Sequence, residues 1–74
     1  MTRTLDSLTD GSVGTLVRLG GERSFRRRLL ELGLLPGTPV RLVRRARLGG
    51  VLEVEVRNCR LTLREGEARE LYVD

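Results

Sequence analysis

Histidine, lysine and tryptophan are absent from this 74-residue chain, cysteine occurs once, and Phe25 and Tyr72 are its only aromatic residues. Each absence removes a class of chemistry. Without histidine, no side chain titrates near neutrality of its own accord, so a general base would need a buried carboxylate pair. The lone Cys59 cannot close an intrachain disulfide, and a Cys/His zinc or iron site needs about three or four such ligands. Cys59 therefore reads as a small turn or edge residue, compatible with a reducing compartment. Without lysine there is no G-x-x-x-x-G-K-[ST] phosphate loop. The acidic residues fall on strand exteriors and turns, so they do not cluster into the six or so oxygen ligands of a hard cation. No catalytic residue, metal ligand, cofactor or small-molecule substrate is expected, and a binding module is the better reading than an enzyme. Long apolar runs are missing as well. The N-terminal MTRTLDSLTDGSVG has no signal-peptide core, and no stretch approaches the ~20 apolar residues of a membrane span. The expectation is a cytoplasmic protein, one domain over residues 1–74, that reaches a membrane only through a partner.

What the chain does have is arginine. All 14 basic residues are arginines, set against 10 acidic residues for a net charge of +4, and the pI of 10.9 exaggerates how basic the surface is. The signs are interspersed except at Arg26-Arg27-Arg28 and Arg41-Arg44-Arg45-Arg47. Arginine runs can follow phosphates, but small nucleic-acid modules usually add aromatic stacking surfaces.

Residues 23–49 carry most of the structural information. Phe25, Leu29 and Leu32 stand at i, i+4 and i+7 and predict a core-facing stripe on a helix over about residues 22–33, with Leu30 widening it. Ser24 is the N-cap candidate, Arg27 and Glu31 can pair four apart, and Gly33 suits the left-handed residue past the C-terminus. Pro36-Gly37 fits the centre of a type II turn, with glycine taking the positive φ. In the corner between, Leu34 and Leu35 are consecutive and diverge, so they cannot easily both be buried. Leu35, with Leu48 at a later loop tip, offers an apolar patch to a partner, and Arg26 and Arg28 would steer an acidic partner surface to the helix. The candidate partner-binding residues are Arg26, Arg28, Leu34, Leu35 and Leu48.

The remaining segments read as strands. Thr4 to Leu8 is a short strand or ordered arm. Val13 to Leu19 is a strand with Val13, Thr15, Val17 and Leu19 on one side, ended by Gly20-Gly21. A three-residue Gly49-Gly50-Val51 loop would pair Leu48 with Leu52 and Ala46 with Val54, keeping Arg45 and Arg47 outside opposite Glu55 and Glu53. A two-residue Gly49-Gly50 turn would instead send both arginines into the core. A two-residue Asn58-Cys59 turn would then pair Val56 with Leu61 and Val54 with Leu63, completing an outer ladder of Arg45, Arg47, Glu53, Glu55 and Arg64. Glu65 to Arg69 reads as one helical turn with Ala68 inward. Leu71 and Val73 form an inward pair on a last strand, with Tyr72 opposite. The sum is an all-β fold, a small SH3-like barrel of five or so strands that closes its own edges, with one short helix inserted after the first long strand.

Arg28-Leu29-Leu30-Glu31-Leu32-Gly33-Leu34-Leu35-Pro36-Gly37, followed by Val40, Val43, Leu48-Gly49, Leu61-Thr62-Leu63-Arg64, Ala68 and Leu71-Tyr72-Val73, resembles the FeoA family. The pattern covers nearly the whole chain, and many members carry Gly-Asp-Pro where this chain has Gly49-Gly50-Val51. The resemblance implies an SH3-like cytosolic accessory protein of bacterial ferrous iron uptake, without catalytic activity. Its implied partner is the membrane permease FeoB, whose cytosolic GTPase domain drives or gates Fe(II) entry. A stand-alone relative of the SH3-like domain of iron- or manganese-dependent repressors is the alternative, and an arginine-rich barrel binding RNA the third. The free-standing length favours the transport accessory. Strand exchange into a weak homo-oligomer is compatible with the glycines and the small core.

Overall fold

The computed structural model describes residues 2–46 and 49–74. In chain order the elements are β1 (Arg3–Thr4), a 3-10 turn (Leu5–Ser7), β2 (Val13–Leu19), α1 (Arg23–Glu31), β3 (Pro39–Arg45), β4 (Val51–Val56), β5 (Cys59–Arg64), α2 (Glu65–Ala68) and β6 (Leu71–Val73). The strands form one antiparallel sheet in the order β1-β6-β2-β3-β4-β5. It curls around a core of Leu5, Leu8, Leu16, Leu29, Leu34, Val40, Leu42, Leu52, Val54, Val56, Leu63, Ala68, Leu71 and Val73. Among the described residues β5 pairs only with β4, so the curled sheet keeps an edge that the sequence led us to expect closed.

The helix begins and ends for different reasons. Glu22, not Ser24, is the N-cap, and it makes no side-chain cap bond. The C-terminus is strongly specified. Gly33 adopts φ +96°, its N–H donates to the Leu30 carbonyl at 3.0 Å, and the Leu34 N–H donates to the Leu29 carbonyl at 3.0 Å. This is the Schellman arrangement, and the apolar contact that accompanies it joins the buried pair Leu29 and Leu34. Because the helix stops there, Leu34 takes the inward place that the i+7 spacing assigned to Leu32. Leu32 is 52% exposed and Leu30 43% exposed. Phe25 packs against the core from its margin. The type II turn follows as expected, with Gly37 at φ +91° and the Thr38 N–H donating to the Leu35 carbonyl at 3.0 Å.

This corner is bonded directly to β2. The Gly37 N–H donates to the Leu16 carbonyl at 2.7 Å and the Leu16 N–H donates to the Thr38 carbonyl at 2.9 Å. Leu16 and Gly14 face the core, whereas Val13, Thr15 and Val17 face solvent. A Cβ on Gly14 would stand 2.9 Å from the Cβ and Cγ2 of Val73, so a side chain there would force Val73 on β6 to move. A bulge at Val17 then resets the alternation. It puts Arg18 opposite Tyr72 on the outside and turns Leu19 inward opposite Leu71, separating Leu19 from the side it was expected to share.

Both hairpins depart from the expected registers. A bulge at Val43 places Arg44 opposite Glu53 and Arg45 opposite Leu52, instead of Arg45 opposite Glu55. Arg45 thus lies on the inner face, where its Nη2 donates to the carbonyls of Asp6 and, at 2.8 Å, Leu8. A half-buried guanidinium is tolerated because backbone acceptors replace part of its water. The Ala46 N–H donates to the Val51 carbonyl at 2.8 Å, which precludes the expected pairing of Ala46 with Val54. The expected pairings of Arg47 and Leu48 lie outside the described residues.

The second turn is Arg57-Asn58, not Asn58-Cys59. Both residues have positive φ, 50° and 67°, the type I′ signature, with asparagine tolerating that region best. The register becomes Val56 opposite Cys59, Val54 opposite Leu61 and Leu52 opposite Leu63. The outer ladder accordingly changes its members. Glu53 is the hub, 2.9 Å from Arg44 and 3.0 Å from Arg60, while Arg41 and Glu55 stand 3.9 Å apart.

The end of the chain matches expectation: α2 buries Ala68, and Leu71 and Val73 face the core with Tyr72 outside. Glu67 ties α2 to its surroundings, because its Oε1 accepts the Arg64 N–H at 2.9 Å and its Oε2 accepts from Arg28 Nη2 at 2.7 Å.

Two measurements check this packing. Leu34→Ala should cost about 2–5 kcal/mol of stability by urea unfolding, the range for a buried leucine, whereas Leu35→Ala, 44% exposed, should stay within about 0.5 kcal/mol. The Arg64 N–H, and then Arg28, hold the Glu67 carboxyl below the usual carboxylate range. Stability from Glu67 is therefore fully present above the unfolded-state pKa and lost as pH falls through the lower folded value. Glu67→Gln should remove part of the acid-dependent loss in a urea series and lower neutral-pH stability by about 0.2–1 kcal/mol, the scale of a partly exposed pair.

Candidate interaction surface

The candidate residues separate sharply once placed. Leu34 has no exposed surface and belongs to the core, which corrects its place among the partner-facing residues. Its neighbour Leu35 is the exposed member of the corner, as the divergence of consecutive turn residues requires. Arg26 is half-buried, and its Nη1 donates to the Gly21 carbonyl, closing the entry to α1. Arg28 is the more exposed of the two helix arginines, although Glu67 holds its guanidinium. Leu48 lies outside the described residues. No hydrogen bond or ion pair links Arg26, Arg28 and Leu35 into one cluster among the described residues.

The structure adds a feature that the helix stripe concealed. Arg28, Leu29 and Leu32 of the helix region and Leu61, Thr62, Leu63 and Arg64 of β5 line an open groove of about 430 Å³, with Val51 and Glu67 also in its lining. Leu32 is the exposed apolar side chain on this groove. A sequence signal for it existed, since Gly33, as the left-handed residue past the helix, brings the next residue, Leu34, against Leu29, and Leu34 so takes the inward place at the helix end.

Two carboxylates on this side of the molecule are held by arginines. Glu53 is held below the ordinary carboxylate range by hydrogen bonds from Arg60 and Arg44, and Glu67 is lowered by the Arg64 N–H and by Arg28. A carboxyl moved in that direction stays ionised at neutral pH, the opposite of what a general acid requires. Among the described residues no group of three or more His, Cys, Asp or Glu could hold a metal ion, and no helix is long and apolar enough to cross a membrane. Arg18 lies over the Tyr72 ring at 3.8 Å and Arg28 stands 5.6 Å from the Phe25 ring centroid, both within cation–π range. Cys59 is exposed at the β4–β5 turn.

This architecture is shared by solved proteins. A FeoA protein from Chlorobium tepidum is 34% identical, superposes with a TM-score of 0.89, and is matched over 95% of this chain and 67% of its own. A FeoA from Stenotrophomonas maltophilia, solved with zinc and described as an SH3 domain protein and candidate activating factor of ferrous iron transport, is 32% identical. Its TM-score is 0.83, with 96% of this chain and 88% of that one covered. A manganese-dependent transcriptional repressor shares the fold at 22% identity and a TM-score of 0.87, this chain spanning 97% of itself but only 40% of the repressor. The sequence pattern around Gly33, the helix set into an SH3-like sheet, and the match of the FeoA domain family model to residues 3–74 agree: this chain belongs to the FeoA family.

Proposed function

We propose that this chain is an accessory and regulatory protein of bacterial ferrous iron uptake, acting in the cytoplasm by binding the cytosolic face of a FeoB-type Fe(II) permease. The observation that carries the reading is the family match across residues 3–74. The surface chemistry supports it: both shifted carboxylates are ionised and paired with arginines, while exposed leucines gather around the end of α1. Such a surface can bind a protein without transforming a substrate. A bound accessory changes GTPase activity or gating only insofar as it binds one permease state better than another. The docking residues we favour are Leu35 and Arg28. Arg26 contributes charge near the helix start, and Leu48 belongs to the same apolar proposal. Iron is cargo of the permease in this reading, not a ligand of this chain.

Deleting the gene should lower Fe(II) uptake, and wild-type protein should restore it. Leu35→Glu should fail to restore it while folding normally, because the corner leucine that faces the core is Leu34. Pull-down from solubilised membranes should retain the permease with wild type and lose it with Leu35→Glu. Unchanged Fe(II) uptake in the deletion strain would refute the reading. Anaerobic calorimetry of the isolated protein with Fe(II) should show no site tighter than about millimolar, since hard-ion affinity depends on ligand number and charge.

A further inference from the structure

β5 is an edge strand whose outward bonding groups can be assigned. The Arg57-Asn58 turn closes on the directly opposed pair Val56 and Cys59. In a two-residue hairpin that pair exchanges both hydrogen bonds, and bonded pairs then recur at every second position. Val54 with Leu61 and Leu52 with Leu63 are the next bonded pairs. Arg60, Thr62 and Arg64 therefore point their N–H and C=O groups away from β4. The Arg64 N–H is taken by Glu67 Oε1 at 2.9 Å. Among the described residues no backbone group takes up the N–H groups of Arg60 and Thr62.

The two faces of this edge differ. On the inner side, Leu61 and Leu63 adjoin the groove whose far wall is Leu29 and exposed Leu32. On the outer side stand Arg60 and Arg64, both exposed. Glu53 holds Arg60 at 3.0 Å and Glu67 holds Arg28 at 2.7 Å, while Arg57 and Arg64 make no ion pair among the described residues, so the uncompensated charge along the edge is positive. A second copy of β5 is a poor occupant, since pairing would bring arginines together across strands, and like charges directly opposite are destabilising. The same arginines that deter self-pairing favour a strand of opposite charge.

We propose that the free edge of β5, with the α1–β5 groove, is a docking site for an extended acidic segment of a partner protein. The segment adds as a further strand to the sheet, and its side chains alternate between the two faces. Apolar side chains enter the groove between Leu32 and Leu61, and carboxylates between them lie beside Arg64 and share Arg60 with Glu53. Backbone bonds to Arg60 and Thr62 supply affinity, and the alternation supplies specificity. This goes beyond the preceding reading and does not depend on the permease providing the segment.

The test uses a capped synthetic peptide alternating glutamate and valine, and a scrambled peptide of the same composition. Titration of the isotope-labelled full chain should slow amide exchange at Arg60 and Thr62 and shift the Leu32 and Leu61 methyl signals, with the scrambled peptide at least tenfold weaker. Thr62→Pro removes an N–H that the β4 ladder does not use and should weaken binding at least tenfold. Leu32→Glu, at a position outside the core, should do the same with an unchanged melting temperature, which guards against a merely unfolded proline variant. Equal binding of both peptides, no binding at millimolar peptide, protection that maps away from β5, or concentration-dependent protection of β5 without peptide would each overturn the proposal.

Discussion

The interaction on which the rest of this structure depends is the backbone corner from Leu29 to Thr38. Gly33 ends α1 in a left-handed residue, the Leu34 N–H returns to the Leu29 carbonyl, and Gly37 and Thr38 then bond to Leu16 on β2. A helix set between two neighbouring strands would ordinarily disturb their pairing. Here the corner brings the chain back onto β2 within a few residues of the helix end, so β3 resumes the ladder at Pro39. The same corner decides which leucines are structural. Leu29 and Leu34 close the core over the sheet, while Leu30, Leu32 and Leu35 are left outside it. A small domain has little apolar surface to spare, so those exposed leucines follow from where the helix stops.

Arginine as the sole cation shapes the remainder. Its planar fork can satisfy two acceptors at once, which suits positions near backbone carbonyls or between carboxylates. Arg45 meets two carbonyls on the inner face, and Glu53 lies between Arg44 and Arg60 outside. A lysine at Arg45 would present a compact, strongly hydrated charge to the same site, with a larger desolvation cost for each bond formed. Exposed pairs of this kind contribute little to stability individually. Their consequence is geometric, since they fix which cations stay outside and which edge carries them.

Local chemistry was legible in the sequence where it acts within a few residues. Gly33, the Pro36-Gly37 turn, Ala68 and the inward pair Leu71 and Val73 all depend on short-range stereochemistry or plain alternation, and all stand where those rules place them. Register was not legible. The bulges at Val17 and Val43 each slip the alternation by one residue, and a slip changes which face every later side chain occupies. Nothing within Val43-Arg44-Arg45 announces a bulge, because the acceptors that make an inward Arg45 tolerable come from Asp6 and Leu8, far away in sequence. The Arg57-Asn58 turn was missed for a different reason. The sequence favours asparagine at the first turn position, whereas Asn58 occupies the second, and arginine at positive φ carries no compositional signal. The candidate surface is hidden for two separate reasons: the turn moves β5 by two residues, and the i+7 spacing assigns Leu32 to the core although the helix ends at it.

The groove between α1 and β5 is bridged by one carboxylate. Glu67 accepts the Arg64 N–H with one oxygen and Arg28 with the other, so a single side chain from α2 holds both walls. The Arg64 N–H would otherwise be the last outward donor of the β5 edge. Occupying it shortens the open edge to Arg60 and Thr62, while the bond to Arg28 joins α1 to α2 across from that opening. Binding to a preformed surface avoids part of the ordering cost that a mobile one would incur on association. The same side chain thus limits how much of the β5 edge is open and links α2 to the helix across from it.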